Sequence, residues 1–150
     1  MQITQALVGN VLYPLAEGQP LPIVAGDVIK VFYVFSYKVP EKTDVRIWAS
    51  LYDAPLGWLN RKEAAQTKET ITLEMTPEWK PYEGEIDIAI GSIGSGIYGL
   101  IVELPDYDTE ARIDACLEVA AVPGIFDMLV PLLVLGLMVF LIPKLKEGFG

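Results

Sequence analysis

The stretch Ile29-Lys30-Val31-Phe32-Tyr33-Val34-Phe35-Ser36-Tyr37-Lys38 decides the fold class. Its odd positions, Ile29, Val31, Tyr33, Phe35 and Tyr37, are all apolar or aromatic. Its even positions mix Phe32 and Val34 with Lys30, Ser36 and Lys38. A two-residue period rich in β-branched and aromatic side chains predicts a strand, and apolar groups on both faces place it centrally in a sheet.

Working outward, the same period recurs along the first 120 residues. Val45, Ile47, Ala49 and Leu51 alternate with Arg46, Trp48, Ser50 and Tyr52. Ile71 and Leu73, Ile86 and Ile88, Tyr98 and Leu100, and Ile113 and Leu117 mark further strands, and residues 3–12 a less regular first one. Turn formers separate the runs: Pro20 and Pro22, Gly26-Asp27, Pro40, Pro77, Pro81, Gly91 to Gly96, and Pro105-Asp106. Seven short strands at this spacing predict a mainly β fold, an antiparallel β-sandwich. The longest connection is 53–68, within which Arg61–Lys68 reads as a short helix or a loop.

The segment Gly94-Ser95-Gly96-Ile97-Tyr98-Gly99-Leu100 resembles the turn before the penultimate strand of immunoglobulin and fibronectin type III-like sandwiches. That resemblance implies a tyrosine corner, with the Tyr98 ring in the core and its hydroxyl capping the turn. Leu100 stands where antibody domains carry a cysteine, so their disulfide is not expected. The resemblance concerns fold and implies no activity.

Composition limits the chemistry. The 150 residues contain no histidine and a single cysteine, Cys116. Ser-His-Asp and Cys-His nucleophile systems are therefore excluded, as are most zinc sites. No cofactor is expected, and the chain reads as non-enzymatic. By alternation Cys116 faces the charged side of the last strand. The formal net charge is −9, and with no basic stripe visible this predicts that nucleic acid is not a partner.

Beyond Val122-Pro123-Gly124 the composition changes abruptly. Residues 1–122 are read as the sandwich domain and 123–150 as one hydrophobic helix with a short lysine-bearing tail. From Met128 to Ile142 no side chain is charged or strongly polar. Residues 125–143 would span ~28 Å as a helix, close to the ~30 Å of a bilayer's hydrocarbon core. Ile125, Met128, Leu129, Leu132 and Leu133 form its first half, and Leu135, Leu137, Phe140 and Leu141 its second. Lys144 and Lys146 are placed to anchor its end at the headgroups. The expected localisation is a membrane, crossed once, with the side left open. The first residues, Met1-Gln-Ile-Thr-Gln, show neither a basic nor an apolar leader segment, so no signal peptide is expected.

These features together predict a membrane-anchored, non-enzymatic structural or interaction protein, with a viral or phage membrane component as one concrete form. Its partners would be the lipid bilayer and other protein subunits, as a homo-oligomer. The alternatives are a filament or oligomer subunit assembled through the C-terminal helix, and a carbohydrate-binding module. Trp48, Trp58, Trp79 and Tyr82 are the candidate binding patch, because exposed aromatics stack on sugars or anchor partners. Asp106, Asp108 and Glu110 cluster hard oxygen ligands at alternate positions, the weak candidate for calcium, although the EF-hand spacing is not met.

Overall fold

Strand β4, Val28–Tyr37, carries the decisive alternation into three dimensions, with Ile29, Val31, Tyr33 and Phe35 all buried. In the computed structural model, which describes residues 1–120, nine strands form two sheets. The first sheet has the order β2-β1-β4-β7, with β1 Gln2–Val8, β2 Val11–Tyr13 and β7 Lys80–Ala89. The second has the order β3-β9-β8-β5-β6, with β3 Leu21–Ile23, β5 Thr43–Asp53, β6 Asn60–Leu73, β8 Gly96–Leu104 and β9 Thr109–Val119. All neighbours are antiparallel except β3 and β9, which run parallel.

The inward faces meet as a β-sandwich core. From the first sheet come Ile29, Val31, Ile86 and Ile88, and from the second Ile47, Leu51, Leu100, Val102 and Leu117, all buried. Tyr98 enters this core as expected, and its hydroxyl lies 2.6 Å from the Ile93 carbonyl and 2.9 Å from that of Gly94. The phenol thereby caps the turn before β8 while its ring fills the core.

Nine strands replace the expected seven. The first run is a hairpin, because Gly9-Asn10 turns β1 back into β2. Short β3 was hidden by the prolines that flank and occupy it. The larger correction concerns 53–68. A 3-10 turn, Pro55–Gly57, occupies only its beginning, and residues 60–73 form the longest strand, β6. Its polar side chains obscured the period because β6 is an edge strand.

Cys116 is a second correction. A bulge interrupts β9 between the pairs Leu100↔Ile113 and Tyr98↔Leu117, with Ala115 at φ +50°. The irregularity turns Cys116 into the core beside Leu117, where both are fully buried. Burial pushes its thiol up to about 12.

β6 pairs with β5 from Thr43↔Leu73 to Ser50↔Gln66, then shifts register so that Arg61 faces Tyr52. In the shifted stretch β6 reaches across to the first sheet. The Gly91 N–H donates to the Ala64 carbonyl at 2.8 Å, and the Thr67 hydroxyl donates to the Asp87 carbonyl. A Cβ at position 91 would stand 2.5 Å from the Ala64 oxygen, so glycine is required there. The expected C-terminal helix and its lysines lie outside the described residues. Among the described residues no helix is long and apolar enough to cross a membrane.

Gly91→Ala is expected to lower stability by about 1–3 kcal/mol, the usual cost of forcing atoms into a packed contact. Urea denaturation of the full chain measures it; an unchanged midpoint would show that β6 does not approach β7 this closely.

Candidate binding cleft

At the Gly91 end the two sheets are tied together through β6. At the opposite end β6 and β7 separate, with the six residues 74–79 between them. A cleft of about 400 Å³ opens at that end. Its wall from the first sheet is Phe35, Tyr37 and Val39, and its wall from the second is Val45, Leu73 and Leu104. Trp79 and Tyr107 also line it and are 71% and 54% exposed. Lys38 is the one charged side chain in the lining, which also includes Met1.

The aromatic wall follows from the alternation of β4. Tyr33, Phe35 and Tyr37 share its inward face, and β7 places Tyr82 opposite Phe35. Phe35 and Tyr82 stack with ring centroids 5.2 Å apart, and Tyr33 stacks on each of them at 6.2 Å. Opposite Tyr33 the partner is Gly84, whose missing side chain leaves room for the phenol. The N–H of Thr76 donates to the Val39 carbonyl at 3.1 Å and fastens the 74–79 loop beside the cleft.

The four aromatics expected to form one patch are separated. Tyr82 is half-buried in the core stack. Trp79 lines the cleft. Trp58, 79% exposed, follows the 3-10 turn at the opposite end of the sandwich. Trp48 projects from the outer face of the five-stranded sheet, with the Lys68 ammonium 4.4 Å and the Arg46 guanidinium 5.5 Å from its ring centroid.

That outer face holds a polar network in which all three arginines of the chain take part or stand alongside. Arg61 reaches from β6 over β5 and grips Glu103 of β8 through two bonds of 2.7 and 2.9 Å. Glu103 is only 8% exposed, and the bidentate pair offsets part of its desolvation. Ser50 accepts from the Gln66 amide at 2.9 Å, and the Tyr52 hydroxyl donates to Asp114. Arg112 is exposed on β9 and forms no ion pair among the described residues.

The acidic turn is occupied by its own partners. Asp106 accepts two bonds from Arg46, at 2.5 and 2.9 Å, which hold its carboxyl below the usual range. Asp108 takes a left-handed conformation in the β8–β9 turn, and Glu110 lies on β9. Among the described residues no three His, Cys, Asp or Glu side chains are grouped to hold a metal.

Sequence reasoning missed Lys38 and Tyr107 as neighbours of Trp79. Each lies in a different connection, and only the shared end of the sandwich brings them together. The arginine grip on Glu103 was also missed, because Arg61 was assigned to a loop or helix.

No known protein family and no curated protein sequence matches the chain. Among solved structures it is similar to Pseudomonas fluorescens alkylpurine DNA glycosylase AlkC bound to DNA containing an abasic site analogue. The identity is 15% and the TM-score 0.43, over 80% of this chain and 30% of that one. This chain therefore spans under a third of that protein's length, and the likeness assigns it no activity. Nothing in these comparisons or among the described residues supports the membrane-anchored structural protein or its oligomeric and carbohydrate-binding alternatives, and they are not retained. The exclusion of nucleic acid and the expected bilayer and subunit partners are likewise set aside.

Burial raises the phenol pKa of Tyr33, with a further push from Tyr82, and burial followed by the bond to Asp114 raises that of Tyr52. Both groups favour the protonated form in the folded state. Their contribution to stability is complete below the ordinary value of about 10 and is lost as pH rises through the folded values. Absorbance titration at 295 nm, compared with Tyr33→Phe and Tyr52→Phe, is expected to show these two phenols ionising only as native near-UV circular dichroism disappears. Ordinary midpoints near 10 in the folded protein would contradict the burial described.

Proposed function

We propose that the described domain is a non-enzymatic recognition module of immunoglobulin/fibronectin type III-like architecture that binds a small hydrophobic ligand in its end cleft. The architecture is supported by three strands, β1, β4 and β7, packed against β9, β8, β5 and β6, and by the Tyr98 hydroxyl capping its own turn.

The observation that carries the ligand-binding reading is the cleft itself. Its volume of about 400 Å³ lies within the ~300–1,000 Å³ of small-molecule sites, and its lining combines apolar and aromatic side chains with the polar groups of Ser36, Lys38 and Thr109. Trp79 and Tyr107 expose large rings at its edge, where a bound ligand would cover them. The non-enzymatic reading is supported by the lining, in which Lys38 has no carboxylate or thiol beside it to work with as an acid–base or nucleophilic pair.

Titration of the full chain with the neutral probe N-phenyl-1-naphthylamine tests this reading. Saturable one-to-one binding is expected, weakened roughly five- to tenfold in Trp79→Ala by loss of the aromatic contact. Because Trp79 is mostly exposed, folding stability should change by no more than about 0.5 kcal/mol. Binding that is unsaturable, or indifferent to Trp79→Ala, would remove the cleft as the ligand site.

A further inference from the structure

The lining of the cleft restricts the class of ligand, on the premise that the cleft is the ligand site. The domain is strongly acidic, yet the one charged side chain in the lining is a cation, Lys38, and Met1, which carries the terminal ammonium, lines the cleft too. Lys38 forms no ion pair among the described residues. A second lysine, Lys80, stands opposite Tyr37 in the β4–β7 register and directly follows Trp79, so it belongs to the same end. It too is without an ion pair among the described residues.

The acids of this end do not cancel that bias within the cleft. Asp106 is taken up by Arg46, and Asp44 accepts from the Thr72 hydroxyl at 2.8 Å. Glu41, Glu74, Glu78 and Asp108 lie in the neighbouring connections, and none lines the cleft. An anion entering here therefore meets the Lys38 ammonium and no carboxylate among the side chains of the lining. Flat rings fit the remainder, because Trp79 and Tyr107 expose aromatic surface and Phe35 and Tyr37 supply more of it behind them.

We infer that the cleft binds an amphipathic anion, an aromatic carboxylate whose charged head lies at Lys38 and whose ring system lies against Trp79 and Tyr107. Charge selects the head and the rings supply most of the affinity, as in other largely apolar sites with a few polar groups that fix orientation.

The test compares 2-naphthoate with its neutral analogue 2-naphthamide, binding each to the full chain and following tryptophan fluorescence and calorimetry. The carboxylate is expected to bind about three- to fivefold more tightly, the scale of an exposed charge pair, and the preference should shrink as salt is added. Lys38→Met should cut the preference roughly in half or more and Lys38→Glu should abolish it, while Trp79→Ala weakens both compounds alike. Equal binding of the two compounds by the unaltered protein overturns the anionic class but leaves the cleft as a ligand site. A preference undiminished in Lys38→Met overturns the role of that lysine. Failure of both compounds to bind, together with failure of the neutral naphthylamine, overturns the cleft reading itself.

Discussion

Everything else in this domain depends on how one edge strand, β6, is shared between the two sheets. A β-sandwich gains its stability by burying two inner faces against each other, but its open sides leave strand edges unpaired. β6 pairs with β5 towards both of its ends and, between them, passes the Ala64 carbonyl to the N–H of Gly91, two residues past β7 of the opposite layer. One side of the sandwich is thereby closed at one end. The cleft lies at the other end, between the inward face of β4, which supplies Phe35 and Tyr37, and the ends of β5, β6 and β8, which supply Val45, Leu73 and Leu104.

The outer face of the five-stranded sheet shows a second use of β6. By carrying Arg61 over β5 to Glu103, it places a charge pair on a surface where Ser50, Tyr52 and Ile101 are also buried. Glu103 faces Glu110 directly across the β8–β9 pair, an arrangement that like charges oppose. Arg61 relieves it by neutralising the more buried member. The cations and carboxylates of this face are largely consumed by one another, through Arg46 with Asp106, Lys62 with Asp53, and Arg61 with Glu103. The cleft differs because its lysine has no such partner.

The fold class was readable because β4, β5, β8 and β9 bury one face strongly and alternate accordingly. Tyr98 was readable for a different reason: a tyrosine between glycines at the start of a strand has one geometry that satisfies both its ring and its hydroxyl. β6 was unreadable because an edge strand has little apolar patterning, and its register shift between Arg61 and Gln66 breaks the period that remains. Cys116 was misplaced by the bulge at Ala115, since alternation assumes a regular strand. The separation of the aromatics was not legible because Trp48, Trp58 and Trp79 are spread over one face and two opposite ends, information that resides in topology. The cleft was invisible for the same reason, its residues coming from the ends of five strands and from three connections.

Native-state hydrogen exchange at the Gly91 amide tests most directly whether β6 fastens the two sheets. Its N–H points at the Ala64 carbonyl of the other layer, so it should exchange only through unfolding of the whole domain, with the slow rate of the core amides of β4 and β8. Exchange at the rate of an exposed turn, while those core amides stay protected, would contradict the account.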